Sequence, residues 1–191
     1  MGTRGFISFV AGGQEKTTYN HSDSYPNGLG LEVLGWLRTA VTSLDVLTAK
    51  ITNLLVVDPD STPTPAQIDR LRQYADLAVS QGSLDDWYCL LRNTQGDPEA
   101  ILDAGVIEDA SSFPLDSLWA EYGYLIDTDT SVFETYVGGQ IRPHDRGRFA
   151  HRRIPGRNPI LDTYYPVALV ASWPLNALPT DKAFLDAFSA D

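Results

Sequence analysis

The stretch "EYGYLIDTDTSVFETYVGG", residues 121–139, decides the fold class, because the periodicity of the chain changes there. Apolar and polar residues alternate with period two on either side of Asp127–Thr130, and Gly138-Gly139 ends the run. That is the pattern of a two-stranded hairpin with its turn at Asp127 to Thr130. A second hairpin is read at the start of the chain: Thr3 to Val10 as one strand, "AGGQ" as a tight turn, and Glu15 to Asn20 as the returning strand. "YYPVALVASW" supplies a fifth strand and Thr180 to Phe188 a terminal helix.

Between the hairpins the period is helical. Leu34, Leu37, Val41, Leu44, Ile51 and Leu55 predict one amphipathic helix from near Leu29 to before Asp58. Thr64-Pro65-Ala66-Gln67 is a capping box with proline at the first helical position, and Ile68, Leu71, Ala75 and Ala78 predict a helix ending near Gln81-Gly82. Ser83 to Asp86 and Asp97-Pro98 open two shorter helices, the second stopped by Gly105. Trp36, Trp87, Trp119 and Trp173 are read as core. The expected architecture is a single α+β domain over residues 1–191: an antiparallel sheet of about five strands, two hairpins plus a late strand, packed with helices.

A formal net charge of −11 argues against general DNA binding and against anionic lipid surfaces. Cys89 is the only cysteine, so no intramolecular disulfide can form, and its apolar setting reads as a buried thiol in a reducing compartment. With no signal-like segment and no apolar run long enough to cross a bilayer, the expected location is the cytoplasm.

Two segments concentrate chemistry. In "YNHSDSYPNGLG" (Tyr19 to Gly30), His21 and Asp23 fall on one side of an extended backbone, where the carboxylate could orient the imidazole as general acid or base. Tyr19 and Tyr25 flank them. The competing reading is a structural turn built by Asp23, Ser24, Pro26 and the glycines. His-x-Asp is also part of a metal facial triad, but no further ligand is fixed by spacing, so no metal and no cofactor is assigned. In "IRPHDRGRFAHRRIPGR" (Ile141 to Arg157), Arg142, Arg146, Arg148, Arg152, Arg153 and Arg157 gather with His144 and His151 in an expected loop. Their guanidinium forks suit a phosphorylated small molecule, RNA, an acidic partner surface, or the chain's own carboxylates, within one molecule or across a homo-oligomer interface.

The start "MGTRG", with Tyr19, His21, Asp23, Tyr25-Pro26 and Gly28, and the later "EYGYLIDTD", resembles a family of uncharacterised small phage and bacterial proteins that begin Met-small-Thr-Arg. The likeness covers the first forty residues well and Glu121 to Asp129 loosely. Ser22 and Ser24 depart from it, since the family more often has Trp and Gly there. The resemblance implies a phage setting, with the host cytoplasm as location. The opening Thr-Arg-Gly is also similar to N-terminal-nucleophile hydrolases, yet Gly2 leaves Thr3 one peptide too deep for that chemistry.

Three functions are therefore expected in order. The first is a phage-type accessory protein that binds a host or defence component, or a phosphorylated small molecule, through the two loops, with Arg4 contributing. The second is a hydrolase or transferase on a nucleotide-like substrate, using His21 and Asp23. The third is a virion or assembly component.

Overall fold

The computed structural model describes residues 2–154, 156 and 164–189. Strands β1 (Gly5–Ala11) and β2 (Gln14–Asn20) form the first hairpin, with Phe6 opposite Tyr19 and Val10 opposite Glu15. Its turn places Gly12 and Gly13 at φ of +59° and +72°, the two left-handed positions of a tight hairpin loop. Strands β3 (Leu55–Val57) and β4 (Val106–Glu108) lie within the central helical region. Strands β5 (Tyr122–Asp127) and β6 (Val132–Val137) form the second hairpin, and β7 (Ala168–Pro174) follows. The main sheet has the order β2-β1-β5-β6-β7.

The five expected strands are present, and the class is α+β. The sheet is mixed, however, because β1 pairs with β5 in parallel, Gly5 against Tyr122 and Val10 against Asp127. The reason lies in the connection. The chain leaves β2 at Asn20, beside Gly5, and the helical region returns it to that same end at Tyr122, so β5 must run as β1 does. The two hairpin turns consequently sit together. Asp129 accepts hydrogen bonds from the amides of Gly12 at 2.8 Å and Gly13 at 2.7 Å, fastening one turn to the other.

The helices are α1 (Leu31–Ala40), α2 (Leu44–Asn53), α3 (Pro65–Leu71), α4 (Trp87–Leu90), α5 (Pro98–Ala104) and α6 (Asp181–Phe188). The long helix expected to begin near Leu29 is thus two helices. Ser43, at φ −133° and ψ 63°, breaks it, while the apolar positions continue in phase because both pieces bury the same side. Its expected end forms β3 instead, paired in parallel with β4 in a second small sheet. The capping box at Thr64 and Gln67 is formed, but α3 stops at Leu71 and a single 3-10 turn follows. Ala75 is extended, and the Asp76 amide donates to the Cys89 carbonyl, so tertiary bonding to α4 overrides helix continuation.

All seven residues of β1 are buried, because both faces of the sheet are covered. On one face Ile7, Phe9, Ile126 and Phe133 meet Val33, Leu34, Leu37, Ile51 and Phe184 from the helices. On the other, Phe6, Leu125 and Tyr136 pack against Phe149, Val167 and Ala120 from irregular chain. Lys16 is buried and donates to the carbonyls of Ile51, Thr52 and Leu54, each at 2.8 Å, satisfying orphan acceptors at the end of α2. Among the described residues no helix is long and apolar enough to cross a membrane.

Candidate binding surface at one end of the sheet

The Tyr19 to Gly30 loop is first of all a tied turn. Asn20, buried at the end of β2, donates to the Ser22 carbonyl at 2.6 Å and the Ser24 hydroxyl at 2.8 Å. The Ser24 amide donates to the Thr3 carbonyl, and Tyr124, deep in the core, donates its hydroxyl hydrogen to the Ser24 carbonyl at 2.9 Å. One wide helical turn, Pro26–Gly30, then leads into α1. This bonding fixes the backbone and leaves His21, Asp23 and Tyr25 exposed.

The expected His21–Asp23 pairing is not what the loop builds. Asp23 takes a left-handed φ of 57°, which ends the extended geometry the pairing needs. The His21 Nδ1 instead lies 3.2 Å from the Tyr19 hydroxyl. Burial, with Tyr88 nearby, raises the Tyr19 phenol above its ordinary pKa, and Arg4 and Arg92 oppose that rise. Arg4 and Arg92 are thus the cations whose charge acts on the Tyr19 phenol.

Arg4 enters from the residue before β1. Its amide donates to Glu121 at 3.0 Å, and its guanidinium lies 4.7 Å from the ring centroid of Trp119. Trp119 is 49% exposed and so is not core. Leu118 is beside it, and Tyr25 packs on Tyr122 with ring centroids 6.3 Å apart. Leu118, Glu121 and Tyr122 line one shallow depression at the Asn20 end of the sheet, with Arg4 beside it through Glu121 and Trp119, and Tyr25 beside it through Tyr122. Arg4 has no carboxylate partner for its guanidinium among the described residues.

The arginine segment behaves differently. Phe149 and Ala150 are buried, so the segment is anchored across the sheet. Arg148 donates to Glu134 at 2.8 Å and 2.9 Å and to Asp127 at 2.8 Å, with Glu15 at 3.9 Å. Arg152 grips Glu15 with both terminal nitrogens, at 2.6 Å and 3.1 Å. Arg146 donates its amide to His144 Nδ1 and a side-chain hydrogen to Gln140. His144 Nε2 meets the Pro166 carbonyl at 2.8 Å. Arg153 donates to the Ala150 and Arg152 carbonyls, and Arg142 is exposed. Arg157 lies outside the described residues. Glu15 and Asp127 mark the opposite end of the sheet from Asn20 and Tyr122, so Arg148 and Arg152 are held away from the Tyr19 to Gly30 loop.

No family model, curated protein or solved structure matches this chain. The surface is therefore read from its own chemistry. Among the described residues no group of three or more His, Cys, Asp or Glu is placed to hold a metal ion. Sequence reasoning missed Trp119, Glu121 and Arg92 as neighbours of the loop. The one available signal was Leu118-Trp119, an apolar pair outside any helical or strand period.

Proposed function

We propose that the protein works by binding, and that the surface formed by Arg4, Leu118, Trp119, Tyr25 and Tyr122, with Tyr19 and His21 beside it, docks a protein partner. The observation that carries this is the half-exposed Trp119 with the Arg4 guanidinium lying over it and no carboxylate among the described residues claiming that charge. Trp, Tyr and Arg are the side chains that dominate binding energy at protein interfaces, where a rigid apolar ring and a planar cation meet the partner together. An acidic chain with such a surface suits a partner of basic character. The phage setting implied by the amino-terminal resemblance makes a host or defence component the first partner to test.

Catalysis by His21 has less support, because its ring is held by a phenol rather than a carboxylate. The internal pairing of Arg148 and Arg152 weighs against the arginine segment as a subunit contact or phosphate site. The test compares affinity capture from host lysate by wild type, Trp119→Ala and Arg4→Gln, followed by titration calorimetry with each purified partner. Loss of the same partner from both variants supports the reading. A partner bound equally by all three overturns it, and a nucleotide or phosphorylated metabolite whose stabilisation is lost in His21→Ala replaces the protein partner by a small molecule.

A further inference from the structure

The β3–β4 ribbon runs along the β2 side of the main sheet. The Ala110 amide, just past β4, donates to the Thr17 carbonyl of β2 at 3.0 Å, which places β4 next to β2 and leaves β3 outermost. At the opposite side of the sheet, β7 has a register shift against Thr135 and Tyr136, ends in Pro174, and gives its Leu169 amide to the Arg146 carbonyl. Those features keep an edge from pairing with another chain. β3 carries neither a proline nor a bulge.

Its pairing leaves a definite set of groups unused. The Leu55 amide donates to the Gly105 carbonyl and the Val57 carbonyl accepts from the Asp109 amide, so in this parallel ladder residues 55 and 57 face β4 and Val56 faces away. Among the described residues nothing bonds the Val56 N–H and C=O or the Asp58 N–H. Leu55 is 49% exposed and Val56 37%, one on each face of the ribbon. The edge is thus apolar as well as unpaired.

Charge selects what fits it. Asp58 and Asp109 are the next residues after the Val57–Glu108 pair, and the Asp60 amide folds back onto the Asp58 carboxylate at 2.9 Å. All three carboxylates are exposed, and among the described residues no Lys or Arg pairs with them. At the other end of the ribbon the cations are already engaged, Lys50 on Asp103 and Arg70 on the Ala104 carbonyl. A second copy of this chain would bring a further net charge of −11 to an acidic edge.

We propose that β3 takes up an extended, basic segment of a partner protein as an added strand. The backbone of that segment pairs with Val56 and the Asp58 amide, its apolar side chains lie beside Leu55 and Val56, and its Lys or Arg residues extend toward the end that carries Asp58, Asp60 and Asp109. In strand addition the main-chain bonds supply affinity and the neighbouring side chains supply selectivity. This goes beyond docking at Trp119 and shares no residue with that surface.

The probe is a displayed library of random short peptides, selected on wild-type protein, with the enriched sequences synthesised for titration calorimetry. Enriched peptides are expected to alternate β-branched residues and to carry Lys or Arg at one end. Val56→Pro removes the outward N–H without touching the ladder to β4, and should weaken binding about tenfold, as for loss of a main-chain hydrogen bond. Asp58→Asn combined with Asp60→Asn should weaken it several-fold at low salt and less at high salt. Trp119→Ala should leave it unchanged. If Val56→Pro does not fold, N-methylation of successive peptide amides decides the matter on wild type, with binding lost at every second position. An empty selection, enriched peptides without net positive charge, binding that survives both Val56→Pro and the N-methyl series, or binding lost in Trp119→Ala would each overturn the assignment. Self-association of wild type that Val56→Pro abolishes would also overturn it, by giving the edge to a second copy.

Discussion

Arg148 grips Glu134 through two nitrogens, at 2.8 Å and 2.9 Å, and the same guanidinium reaches Asp127 on the neighbouring strand. Tyr136 adds a 2.5 Å hydrogen bond to Glu134 from the same strand. One arginine thus neutralises carboxylates from β5 and β6 on a face that also buries Phe6 and Phe149.

Arg148→Ala should lower stability by about 3 kcal/mol, the cost of leaving partly buried carboxylates facing one another. Urea denaturation measures it. Burial alone would raise the Asp127 pKa, but hydrogen bonds from Arg148 and Thr130 outweigh that and hold it below its ordinary 3.8. Its stabilising contribution is therefore full above 3.8 and fades as pH falls through the lower folded value, so wild type and Arg148→Ala should converge in acid.

Glu108 behaves in the opposite sense. Burial, with the Asp86 charge adding, pushes its carboxyl from 4.5 up to about 7. Stability tied to its proton is complete below 4.5 and is lost as pH rises through about 7. Glu108→Gln should therefore melt higher than wild type at about pH 8 and no higher at about pH 4. Thermal melts across that range decide it, and a gain that grows in acid would contradict the assignment.

Gly123 lies directly beneath the Phe6 ring, and a Cβ there would overlap it. Gly123→Ala should leave little folded protein, as read by soluble yield and near-ultraviolet circular dichroism. Adding Phe6→Leu should recover part of the loss by making space.

His21→Ala should change stability by no more than about 0.5 kcal/mol, because the ring is exposed and its one hydrogen bond is at the surface. Chemical denaturation tests this. A large loss would assign His21 to the turn itself rather than to recognition.

Both hairpins could be read from the sequence because their turns carry their own instructions: Gly12-Gly13 supplies positive φ, and Asp127 bonds the amides of Asp129 and Thr130. The caps at Thr64, Asp97 and Thr180 were readable for the same local reason. The parallel pairing of β1 with β5 was not, since it depends on where a hundred-residue connection returns the chain. Ala75 and Ala78 kept a helical spacing that hydrogen bonds to α4 override. At the site, Tyr19, His21, Tyr25 and Arg4 were found by residue type. Side-chain spacing could not reveal the left-handed backbone at Asp23 that separates it from His21, nor could composition reveal the exposure of Trp119.

The parallel pairing also sets an order of events during synthesis. Arg4 and Glu121, which flank the paired strands, are 117 positions apart, so β1 leaves the ribosome long before its neighbour exists. At translation rates of roughly 5–20 residues per second, that gap lasts roughly 6–23 s. For that interval β1, an interior strand of the finished sheet, has one open edge and no covering layer, the form of strand most prone to pair with another chain. Nascent protein is thus most exposed to aggregation, and most dependent on chaperones, before Asp127 is made.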